Sequence, residues 1–94
     1  MRSATDYLTA STVRADALFA SALQRSDDPG AAQIRQAIAG SLAAFGPLGC
    51  AERVAQAYGE HPETAAPRMR WARAAVAAAG GGRSLATAHA GRAA

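Results

Sequence analysis

Lysine is absent from this chain of 94 residues, and cysteine occurs once, at Cys50. A lone thiol excludes an intrachain disulfide and any multi-cysteine metal site, and such usage predicts a cytoplasmic protein. No apolar run approaches the roughly 20 residues of a membrane span. The amino terminus offers Arg2, Ser3, Thr5, Asp6 and Thr9 in place of a signal-peptide core, so neither secretion nor a membrane partner is expected. β-branched residues are sparse and never alternate with polar ones over a strand's length, which argues against a sheet. Large apolar residues are also scarce. Half the chain counts as hydrophobic, but most of that half is alanine. A candidate core therefore draws on Leu8, Val13, Leu18, Phe19, Leu23, Ile34, Ile38, Leu42, Phe45, Leu48, Val54, Tyr58, Met69 and Val76, and must rely on close helix contacts over alanine.

What is present favours helix nearly throughout: Ala, Leu, Gln, Arg and Glu dominate. The fold class expected is all-α, a compact bundle of about four helices in one domain over residues 1–79, followed by a flexible Gly- and Arg-containing tail over 80–94. A first helix runs from Ser11 or Thr12 to Gln24, with Ala4–Leu8 left open as an extra turn. Asp28 is read as the N-cap of a second helix and Pro29 as its first residue. In that helix Ile34, Ile38, Leu42 and Phe45 are spaced as a single apolar stripe. Gly46 and Pro47 are expected to stop it. A short third helix then carries Cys50, Val54 and Tyr58 on one face, and Gly59 is expected to end it in a left-handed conformation. The fourth begins between His61 and Thr64 and turns Ala65, Met69, Ala72 and Val76 inward.

Charge is unevenly distributed. All ten basic residues are arginines; residues 1–67 carry five of them with all seven acids, a net −2, whereas residues 68–94 carry Arg68, Arg70, Arg73, Arg83 and Arg92 with no acid, a net +5. Such asymmetry favours an anionic partner towards the carboxyl-terminal end.

The stretch from Cys50 to Val76 carries the sharpest pattern. It reads Val54-Ala55-Gln56-Ala57-Tyr58-Gly59, four variable residues, then Thr64-Ala65-Ala66-Pro67-Arg68-Met69-Arg70-Trp71-Ala72-Arg73. A small residue such as Ala55 at a helix crossing, and a glycine four residues later for the turn, are what a helix-turn-helix needs sterically. The stretch resembles region four of extracytoplasmic-function sigma factors and related bacterial helix-turn-helix regulators. That resemblance implies a small DNA-binding or transcription-regulating protein whose second helix, within about 49–79, enters the major groove. His61, Glu63, Ala66 and Arg70 would face the bases, and Arg68, Arg73 and Arg53 the phosphates. Glu60, Ala65 and Pro67 depart from the family pattern, and whether Pro67 kinks the last helix or begins it stays open.

The alternative is a helical protein-protein interaction module, with a homodimer as one form of it and Trp71 and Arg70 on its contact surface. Trp71 falls opposite Met69 and Val76, exposed unless Tyr7 and Leu8 fold over it. No convergent acid, base and nucleophile can be named, so neither an enzyme nor a small-molecule substrate is expected. His61 and His89 lack the company a metal needs, and no strand-loop-helix with a phosphate-binding lysine exists, so no cofactor is expected either. Asp27 and Asp28 are read as helix-capping acids, and Cys50 as a buried thiol.

Overall fold

The computed structural model describes the backbone of residues 4–93 and the side-chain surroundings of residues 10–80. Three α-helices follow in order: α1 (Ala4–Ala20), α2 (Ala31–Glu60) and α3 (Pro62–Ala93), with one 3-10 turn at Arg25–Asp27 between the first two. No strand occurs among the described residues, and each helix packs on the other two. The flexible tail expected over 80–94 lies, beyond Gly80, outside the residues whose surroundings are described.

α1 ends at Ala20, short of the expected Gln24. The reason is local and then tertiary. The Ser21 hydroxyl donates to the Leu18 carbonyl at 2.6 Å and accepts from the Leu23 amide at 3.2 Å, the kind of side-chain bond that competes with helix continuation. From α3, Arg68 then donates to the carbonyls of Phe19 (3.0 Å), Ser21 (2.9 Å) and Leu18 (3.4 Å). Carbonyls at a helix end lack intrahelical donors, and a guanidinium there both satisfies them and complements the negative end of the helix dipole.

Asp28 is not the N-cap of α2. It sits in the left-handed region (φ 49°, ψ 55°) and closes the 3-10 turn, a conformation that Asp tolerates better than most residues. Asp27 accepts from the Gln24 amide at 2.8 Å at the start of that turn. The N-cap of α2 is Gly30, whose amide donates to the Gln33 side chain at 2.9 Å.

At Gly46-Pro47, the expected stop of the second helix, the helical geometry is interrupted by a kink, with no loop between the two sides. The φ of 71° and ψ of 169° at Gly46 lie where only glycine is comfortable, and Pro47 behind it can supply no amide hydrogen. α2 thus has two arms, 31–45 and 47–60. Across the bend the backbone is close: a Cβ on Gly49 would lie 3.0 Å from that of Phe45.

The core joins α1 (Ala15, Leu18, Phe19), α2 (Ile34) and α3 (Ala65, Met69, Ala72, Val76). The inward set expected for the last helix is all buried. Burying each large side chain contributes about 1.5–3 kcal/mol, and Ala17 and Ala72, both fully buried, let the helix axes approach. Three residues assigned to the core from sequence are instead exposed: Phe45 (37 %), Leu48 (73 %) and Tyr58 (39 %). Leu8 lies outside the described residues.

Candidate functional site

Neither residue that carried the helix-turn-helix pattern does the job that motif requires. Gly46 is the only glycine with a positive φ among the described residues, so Gly59 is not a left-handed turn; α2 runs on to Glu60 and only His61 (φ −143°, ψ 67°) separates it from α3. Ala55 is exposed rather than pressed against the following helix. The physical reason is the end of α2. His61 donates its amide to the Ala57 carbonyl at 2.7 Å, while its own carbonyl accepts from the amides of Thr64 (3.1 Å) and Ala65 (2.9 Å). One non-helical residue thereby serves both helix ends, and Pro62 takes the first position of α3, where its missing amide is harmless.

The residues expected to face a DNA groove are distributed as follows. His61, Glu63 and Arg70 are exposed and Ala66 is half-buried. His61 Nδ1 lies 3.6 Å from a Glu63 carboxylate oxygen, an ion pair only when the imidazole is protonated. Glu63, Ala66, Arg70 and Arg73 succeed one another at helical intervals, so they share one side of α3. Pro67 lies inside α3, in its second turn, exposed, and does not begin the helix.

Of the arginines expected against phosphates, two are engaged within the protein. Arg68 holds the carboxyl-terminal carbonyls of α1, and its guanidinium carbon lies 5.5 Å from the Phe19 ring centre and 5.3 Å from that of Trp71. Burial lowers its pKa from the ordinary arginine value. Arg53 lies over the Phe45 ring at 3.7 Å. Arg73 is exposed but close enough to Asp16 of α1 to act on it: burial raises the Asp16 pKa, and Arg73 partly counters the rise.

Trp71 is half-buried, packed on the core beneath Arg68, and lines a groove of about 390 Å³ with Ile34, Ala75 and Pro29. The cover expected from Tyr7 and Leu8 lies outside the described residues. Cys50 is fully buried with its Sγ 3.7 Å from the Ser41 carbonyl oxygen. Its pKa is raised, first by burial and then by Asp16, against a smaller lowering by Arg53.

Sequence reasoning missed the surface on α2. The stripe expected to be one buried seam instead climbs out of the core along the first arm. Ile34 is 3 % exposed, Ile38 is half-buried against the core, Leu42 is half-buried outside the core cluster, Phe45 is partly exposed beneath Arg53, and Leu48 beyond the bend is the most exposed large apolar side chain among the described residues. The even spacing of the stripe gives no hint of this, because periodicity fixes a helix face and not how far a neighbouring helix extends along it. The available signal was Gly46-Pro47, which marks where the helix turns away.

No group of three or more His, Cys, Asp or Glu side chains is placed to hold a metal among the described residues, and none of their helices is long and apolar enough to cross a membrane. Compared with protein-family models, curated proteins and solved structures, the chain matches none of them.

Proposed function

We propose that this chain is a non-enzymatic helical module that binds another protein through the stripe of α2 that its own core leaves uncovered. The observation that carries the reading is the graded exposure from Ile34 to Phe45 and on to Leu48. A solvated leucine just past a bend, near a partly exposed aromatic ring, is the kind of apolar anchor that an interface buries. A photo-crosslinking amino acid at position 48, in the full chain in its host cells, tests this. The expected result is a discrete crosslinked species that disappears when Phe45→Asp is added and that a probe at the exposed Ala78 does not give. Free protein alone at position 48 refutes the reading.

A second reading, DNA binding through α3, is supported by one specific feature: Arg70 and Arg73 are exposed on one side of a helix that carries no acid after Glu63. It now has to do without Arg68 and without the turn geometry of the family that the sequence resembles. Fluorescence anisotropy on a random duplex over a salt series tests it, using Arg70→Ala with Arg73→Ala and leaving Arg68 intact. On a random duplex, with no chosen base for Arg70, both guanidinia meet phosphate, and losing the two contacts reduces the slope of log K against log salt by about 1.8. A slope unchanged in the double variant, or no binding at low salt, removes the reading.

A further inference from the structure

At its inner end the uncovered stripe opens into a second groove, of about 370 Å³, where all three helices meet. Ile38 and Leu42 of α2 and Val76 of α3 give it apolar walls, while Arg14 of α1 and Arg35 of α2 stand at its edge. Among the described residues no carboxylate lines it. Among the described residues neither Arg14 nor Arg35 has a hydrogen bond or ion pair, and both are exposed. Arg53, above the Phe45 ring, places a third guanidinium at the outer end of the same stripe. The geometry points to one occupant: a helix of a different protein, apolar on one side and flanked by carboxylates, laid along α2 with an apolar side chain in this groove and its acids against Arg14 and Arg35. This rests on the interaction reading above and names the partner's chemistry.

Charge complementarity chooses between occupants. A second copy brings a net charge of +3, so like charge opposes its approach to the arginines of the groove. The chain's own carboxyl-terminal residues carry the same mismatch. An acid-flanked amphipathic helix meets the apolar walls and the guanidinia together, the helix-in-groove mode of recognition, and Arg is suited to it by its paired donors for carboxylate.

The test is a selection from displayed random peptides of about four helical turns against the full-length chain. Enriched peptides are expected to be net negative, with apolar residues at intervals of three and four. Their affinity is expected to fall about tenfold for the Arg14→Gln, Arg35→Gln double variant, whose thermal melt matches that of the wild type. Neutral or basic winners, indifference to the double variant, or no enrichment overturn the assignment. Sedimentation equilibrium of the chain alone separates its failure from that of the broader reading. A monomer is expected; a dimer dispersed by Phe45→Asp overturns the acidic partner and leaves the interaction reading standing. No enriched peptide, a monomer and no crosslink at position 48 remove both.

Discussion

At Arg68 the same side chain has two competing uses, and the distances decide between them. Three carbonyls of the α1 terminus lie at 2.9–3.4 Å, and two aromatic rings flank the guanidinium. Hydrogen bonds to charged groups contribute about 1.5–3 kcal/mol, so Arg68→Ala is expected to destabilise the fold by about 2–3 kcal/mol in urea unfolding. Arg68→Lys should recover little of this, because an ammonium has neither the planar fork nor the stacking face. Asp16 makes a residue-scale prediction with a sign. Its raised pKa means that the folded state holds the proton more tightly than the unfolded chain does. Stability therefore falls as pH rises from the ordinary carboxylate value through the raised one, and the penalty is absent below that window. Asp16→Asn is expected to flatten that part of a melting-temperature profile against pH and to raise the midpoint at neutral pH. An unaltered profile would show that burial of this carboxylate has no energetic consequence.

The decisive event at the element scale is the bend in α2. Gly46→Ala places a Cβ in a backbone region reserved for glycine, with an expected loss of about 1–3 kcal/mol in chemical denaturation. The substitution also tests whether the bend sets the position of Leu48, since a crosslink from position 48 should weaken together with the bend. Pro67 is the counter-case. It sits within α3, exposed, where it removes an intrahelical hydrogen bond without any non-helical residue to mark the place. Pro67→Ala is expected to raise stability by about 1–3 kcal/mol, read as a higher denaturation midpoint. The two prolines differ because Pro47 follows a glycine free to leave the helix, whereas Pro67 follows Ala66, half-buried beside Ala65 in the core.

For the whole molecule, the scarcity of large apolar residues has a structural consequence. Helices that meet through Ala15, Ala17, Ala65 and Ala72 pack closely, and they leave too little chain to cover every apolar side chain on α2. Ala72→Leu should force the helices apart and cost about 1–3 kcal/mol, measured as a lowered thermal midpoint, despite adding apolar surface. Among the described residues, Phe45, Leu48 and Tyr58 are the large apolar side chains that remain exposed once this small core has closed. The basic excess acts at the same scale. Arg14, Arg35, Arg70 and Arg73 stay exposed, whereas Arg68 is drawn into the fold.

Composition and periodicity determined the all-helical class, the inward face of α3 through Ala65, Met69, Ala72 and Val76, and a break in the helix pattern at Gly46-Pro47. These depend on intrinsic preference and on residues three or four apart, which are local properties. The end of α1, the continuation of α2 through Gly59, the half-cover over Leu42 and the engagement of Arg68 depended on groups about 50 residues away or on the reach of a neighbouring helix. Sequence spacing carries no information about either. It could place Arg68 next to Arg70 on a basic helix. Only tertiary structure could decide that one caps another helix while its neighbour faces water, because the free energy of a charged side chain depends on which carbonyls the fold brings within reach.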